Sequence, residues 1–274
     1  MKFQEQVKQR LGIYREKDLC IPNAGIFYYR GKKLPKEHIL PQEFGKYNII
    51  EHYREEYYSS SDSKINFHKY FHHLNSSQAL CINLFFPLVF ENKLNILSKL
   101  LGIPLNEPIE SCFEKESELE KGNRRKTNFD FYMQSSDGTK IYFEIKYTEE
   151  EFGKAKNDRE HRVKFTEIYQ PLLGNNIFIN KKFHEMKSFF DNYQIMRNLC
   201  HINDQSYVVF VYQTKNVKIH KQALFAQSEI LTDQGKRKFK IIPIKKISDN
   251  ILENDSSSKI QSHYRAFNDK YLTV

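Results

Sequence analysis

Three ionisable residues interrupt two runs that otherwise read as strands. In NFDFYMQSSDGTKIYFEIKYTEEE, Asn128 to Glu150, Asp130 lies in the first alternating run and Glu144 and Lys146 lie in the second, across a polar turn. Strand side chains alternate between faces. The pattern predicts Phe129, Phe131 and Met133 on one face of the first strand, with Asn128, Asp130 and Tyr132 opposite. In the second, Ile141, Phe143, Ile145 and Tyr147 oppose Tyr142, Glu144, Lys146 and Thr148. The apolar faces coincide if a loop of Ser136, Asp137 and Gly138 closes on Ser135 and Thr139, with Gly138 in the left-handed position. Asp130 then stands opposite Glu144, with Lys146 two positions beyond. Carboxylates about 5 Å apart at their Cβ atoms repel each other in a poorly solvated site. A divalent cation would relieve that repulsion. Mg2+ suits the pair, being a hard ion that takes carboxylate oxygens and keeps several waters. The plain alternative is an ordinary hairpin with a solvated polar face.

Such a hairpin needs elements around it. NSSQALCINLFFPLVFENKLNILSKLLG predicts a helix capped by Ser76 or Ser77 and stopped by Gly102, with a kink or break at Pro87. It is apolar almost all round, which predicts burial. FHEMKSFFDNYQIMRNLCH carries apolar residues near helical spacing, and SYVVFVYQ reads as a strand buried on both faces. Further strand-like runs are AGIFYYRGKKL near the start and FKIIPI near the end; IQSHYRAFNDKYL reads as a helix. The expected fold class is mixed α/β, a central sheet covered by helices.

Here the chain resembles the PD-(D/E)xK nuclease superfamily, with the restriction-endonuclease-like fold. The likeness rests on FD at Phe129–Asp130 and EIK at Glu144–Lys146, and on the longer segments FEIKYTE and SSQALCINLFFPL, which are similar to bacterial restriction-endonuclease-like proteins. The proline of the superfamily's name is absent. The resemblance implies an α-β-β-β-α-β core over residues 75–215, with an N-terminal extension at 1–74 and a C-terminal extension at 216–274. It implies Mg2+, with Mn2+ as a substitute, held by Asp130, Glu144 and the backbone carbonyl of Ile145. Phosphodiester hydrolysis would follow, with Lys146 orienting a water and stabilising negative charge, or acting as a base. It further implies a third acid from the first core helix, where Glu91 stands, with Glu114, Glu116 and Glu118 as competitors on a strand before the hairpin. Glu149 reads as a surface charge or helix start. Gln194, on the helix after the hairpin, matches a glutamine that some relatives place near the lysine or the phosphate. Arg197, three residues on, shares its face and would reach phosphate.

Composition is consistent with this chemistry. The 274 residues carry a net charge of +9, which favours polyanionic partners, although a Lys- and Asn-rich composition also follows from an AT-rich genome. Basic clusters at Arg124, Arg125 and Lys126, and at Lys236, Arg237 and Lys238, are candidates for the backbone of double-stranded DNA. Four scattered cysteines give no zinc spacing, and no apolar run reaches the roughly 18 residues that span a membrane. The expectation is a cytoplasmic endonuclease of restriction or defence, a homodimer if both strands are cut symmetrically. A repair or recombination nuclease, or an inactive nuclease-fold protein that only binds nucleic acid, stands as the alternative.

Overall fold

The computed structural model describes residues 1–107, 109–120 and 126–273. In chain order it forms α1 (Phe3–Lys17), β1 (Gly25–Tyr29), β2 (Lys32–Lys36), α2 (Glu51–Ser59), α3 (Ser77–Phe90) and α4 (Leu94–Leu101). Then come β3 (Ile109–Glu116), β4 (Asn128–Ser135), β5 (Lys140–Lys146), α5 (Arg159–Lys164), α6 (Gln170–Gly174), α7 (Met186–Asp191) and α8 (Tyr193–Leu199). The chain ends with β6 (Ser206–Tyr212), α9 (Val217–Phe225), α10 (Asp233–Lys238), β7 (Phe239–Pro243), α11 (Ile244–Asn254) and α12 (Ser258–Tyr271). It divides into two compact units, residues 1–104 with 243–274, and residues 105–242. The stretch 75–215, expected as one core, contributes to both.

The first unit is mostly helical, with β1 and β2 forming a separate two-stranded ribbon. Ser76 caps α3 by accepting from the amide of Ala79 at 3.3 Å. Pro87 stays inside the helix, and the break falls after it, at Asn92 in a left-handed conformation (φ 54°). Gly102 then closes α4 at φ 63°, a conformation that costs a glycine least. α3 is buried through most of its length, and α12 holds it by polar bonds as well as packing. His263 Nε2–H donates to the carbonyl of Asn83 at 2.7 Å, and the Tyr264 hydroxyl donates to the carbonyl of Leu84 at 2.6 Å. No single helix among the described residues is long and apolar enough to cross a membrane.

The second unit is a five-stranded mixed sheet, ordered β3-β4-β5-β6-β7, with helices packed on it. β3 pairs antiparallel with β4, and β4 with β5, whereas β5 and β6 are parallel. A parallel pair cannot be closed by a tight turn, and α5 to α8 make the crossover. The register of β4 on β5 is the one the turn dictates. Ser135 accepts from Gly138, Thr139 accepts from Ser135, and Gly138 sits at φ 85°. Phe131 pairs with Phe143 and Met133 with Ile141.

One departure from simple alternation matters for the site. Phe131 packs against Phe113 and Phe143, but Phe129 lies against Tyr142, on the side that also holds Tyr132. Phe129 therefore does not share a face with Phe131 and Met133. β3 changes side at the same level: Lys115 pairs with Phe129 and reaches the Tyr132 ring. Between these flanking pairs stand Glu114, at φ 54°, and Asp130. A local backbone twist shared by both strands, invisible to a period-two reading, sets the acid apart from its neighbours.

Candidate active site

β5 is buried on both faces, which removes the solvated-hairpin alternative. Glu144 is 4% exposed and Lys146 is 7% exposed. Charged groups in such surroundings must be paired or hydrogen-bonded, and these are. The Lys146 ammonium donates to Glu144 Oε1 at 2.7 Å. Gln194 Nε2 donates to the same oxygen at 2.8 Å, and Asn198 Nδ2 donates to Oε2 at 3.0 Å. Both amides come from α8, one helical turn apart, so one face of the crossover helix grips both oxygens of one carboxylate. Asn198 was not among the expected site residues. Its spacing of four from Gln194 is the signal that could have found it. Its Oδ1 is buried and has no hydrogen-bond partner among the described residues.

Asp130 Oδ2 accepts the Ile145 amide at 2.6 Å. The acid is thus tied to the strand between Glu144 and Lys146 rather than aimed away from it. Burial first, and the Glu144 charge second, push its carboxyl well above the ordinary aspartate value, with Glu114 adding to the rise against Lys146. Burial alone would lower the Lys146 ammonium, but Glu144, Glu149 and Asp130 together hold it above the ordinary lysine value. Glu149 is therefore not a distant surface charge. β5 ends at Lys146, and Glu149 folds back to accept the Tyr147 amide at 2.6 Å.

The loop that follows β5 is fastened by amide side chains. Asn216 Nδ2 donates to the carbonyls of Tyr147 and Glu149 at 3.2 and 2.8 Å. Gln222 Oε1 accepts the Phe152 amide at 2.9 Å. Gln194 accepts the Gly153 amide at 3.1 Å while holding Glu144, so loop and carboxylate share one residue. The Phe152 ring lies 5.4 Å from the Lys146 ammonium and stacks on Phe210.

A second buried centre stands beside this one. Glu120 accepts from the Thr127 amide and hydroxyl, the Tyr169 hydroxyl, the Lys164 ammonium at 2.6 Å and both Nε and Nη2 of Arg197 at 3.1–3.2 Å. Burial pushes the Glu120 carboxyl up, but Arg197, Lys164, Thr127 and Tyr169 outweigh it and hold it down at about 2. Arg197 is thus engaged by an acid and a phenol, where the sequence suggested a phosphate. Its position three residues after Gln194 carries it to a different partner.

The remaining candidates are dispersed. Glu91 lies in the first unit, where it accepts from the Tyr53 hydroxyl at 2.9 Å. Glu116 pairs with Lys126 at 2.9 Å, and Glu118 pairs with Lys115 and Lys140. Arg124 and Arg125 lie outside the described residues. Lys236 pairs with Asp233, Arg237 is exposed, and Lys238 lies 4.4 Å from the Tyr207 ring. Tyr207 pairs with Ile141, whereas Glu144 and Lys146 pair with Phe210 and Tyr212. At 3.3 Å per residue, the Lys238 contact is roughly 10–16 Å along the strands from the acids.

Among the described residues, no group of three or more His, Cys, Asp or Glu forms a ready-made metal cage. Two carboxylates and a backbone carbonyl still suit an ion that keeps its own waters. Burial, and after it the Glu144 charge, raises the Asp130 carboxyl, and a cation beside the two acids would favour its ionised form. In comparisons with known proteins, the family described as Restriction Endonuclease associating with ARP matches residues 8–272. Neither the curated proteins nor the solved structures give a match.

Proposed function

The chain belongs to the family described as Restriction Endonuclease associating with ARP, and from that premise we propose that it is a metal-dependent endonuclease of duplex DNA with a role in restriction or defence. What carries the reading is burial with convergence. Glu144 and Lys146, 4% and 7% exposed, form an ion pair, and Asp130 is bonded to the peptide between them. A surface hairpin has no reason to hold three ionisable groups in this way. The run β3-β4-β5, crossover helices, β6 supports the finer α-β-β-β-α-β core.

Asp130, Glu144 and the carbonyl of Ile145 would hold Mg2+ or Mn2+. When bound, the ion supplies a Lewis acid for a phosphate oxygen. The protein's own part is positional and electrostatic. Gln194 and Asn198 fix the plane of the Glu144 carboxylate. Lys146, paired with Glu144, would orient water and steady a developing oxyanion, or act as a base once a bound cation offsets its acidic neighbours. A two-fold dimer would place one such site on each strand.

The test is incubation of the purified chain with mixed plasmid and phage DNA in Mg2+, Mn2+ or EDTA, followed by sequencing of the cut ends. Cleavage should need the metal and should fall at least about 100-fold in Asp130→Ala and Lys146→Ala at unchanged circular dichroism. Full activity in either variant refutes the assignment. Salt-sensitive DNA binding with no cleavage in either metal would instead make this a nuclease-fold binding protein.

A further inference from the structure

The first unit carries a surface that the proposed chemistry does not use. In the β1–β2 ribbon, Arg30 and Gly31 form a two-residue turn with φ 47° and 76°. Left-handed residues at both positions give the turn that matches the right-handed twist of a hairpin. Between Gly25 and Lys36 the ribbon holds Arg30, Lys32, Lys33 and Lys36, all exposed, and no acid. The next residue, Glu37, is taken by Arg15 at 2.5 Å. Nothing within the ribbon neutralises its charge.

The aromatics are as unusual as the charge. Tyr28 is 62% exposed and Tyr29 50%, although a tyrosine ring is normally placed to bury its body. Tyr28 pairs with Lys33 on one face, and Tyr29 pairs with Lys32 on the other, with the Arg30 guanidinium 5.2 Å from the Tyr29 ring. Only the inner part of the second face is covered, where Phe27 meets Tyr70 and His73.

Cations and rings on both faces, joined by a tight tip, do not suit a bilayer, which needs one apolar face. They suit a partner with phosphates on two sides and flat groups between. The major groove of B-DNA, about 12 Å wide, admits a two-stranded ribbon. We propose that the β1–β2 ribbon is a duplex-DNA contact, inserted in a groove with Arg30, Lys32 and Lys33 on phosphates and Tyr28 and Tyr29 against sugars and base edges. This deepens the nuclease reading by naming a second DNA-contacting surface, but its test involves no cleavage.

The full chain is titrated in EDTA against a fluorescent mixed-sequence duplex, by anisotropy, from about 50 to 200 mM NaCl. Lys32→Ala/Lys33→Ala should weaken binding tenfold or more. It should also reduce the slope of log affinity on log salt by about 2, near 0.9 per lost phosphate contact. Tyr28→Ala should weaken binding with little change of slope. A matched removal of charge on α11, Lys245→Ala/Lys246→Ala, should do neither. The proposal fails if wild type does not bind duplex at low salt, if both double variants behave alike, or if the ribbon variants lose binding to anionic vesicles and not to DNA. Ribbon-dependent binding by a wild type that cuts nothing would sink the nuclease reading and leave this one standing.

Discussion

Asn198 and Gln194 do not need to touch a substrate to matter. Each donates to a different oxygen of Glu144, so the carboxylate has one permitted orientation. Groups that orient a metal-binding carboxylate typically cost about 10–100-fold in metal affinity or activity when removed. Asn198→Ala and Gln194→Ala should each reduce cleavage by that factor, and Mn2+ affinity should fall with it. Retained activity with a lowered melting temperature would mean that the amides only support the fold. This grip was half legible. Gln194 stood out by its place after the hairpin. Asn198 did not, because an asparagine in a helix ordinarily reads as a surface residue, and only knowledge of what α8 covers gives it a purpose.

Glu120 shows what one residue does for several elements. It joins the segment before β4 through Thr127, the crossover helices through Lys164 and Tyr169, and α8 through Arg197. Breaking a buried ion pair from one side costs about 3–5 kcal/mol. Glu120→Gln should destabilise the protein by that order in urea unfolding, since Lys164 and Arg197 lose their counter-charge. Linkage gives a second signature. The Glu120 carboxyl is held at about 2 against an ordinary 4.5, so its contribution to stability is complete above 4.5 and is lost as pH falls toward 2. The acid limb of the wild-type stability curve should flatten over that window in the Gln variant. Identical limbs would show that the charge is not coupled to folding. In the sequence this residue is one acid in the run EKESELEKG, and nothing local separates it from the others. By contrast, the β4–β5 register and the cap and stop of α3 and α4 were readable, because turn and cap chemistry is local. The side change at Asp130 was not, because it takes two strands twisting at one level. Likewise the helical run around Gln194 is two helices, α7 and α8, meeting at Asn192, with no sequence break to announce it.

For the molecule as a whole, the proposed metal site makes a calorimetric prediction. A ligand that binds only the folded state at a hundredfold excess over its Kd adds about 2.7 kcal/mol. Saturating Mn2+ should therefore raise Tm by several degrees, EDTA should reverse it, and Asp130→Asn should abolish it. An equal rise in that variant would locate the ion elsewhere. The order of the two units along the chain has its own consequence. Residues 105–242 form a continuous stretch, whereas the other unit needs both 1–104 and 243–274. On the ribosome, α3 emerges early, while Tyr264 and His263, which later bond to its carbonyls, are translated some 180 residues afterwards. A greasy segment, covered on one side by α2, must wait until α12 has been made for the rest of its cover. Yield in cells should then depend on holdase chaperones, and a chain stopped before Ser258 should be recovered as aggregate, with its internal unit already folded.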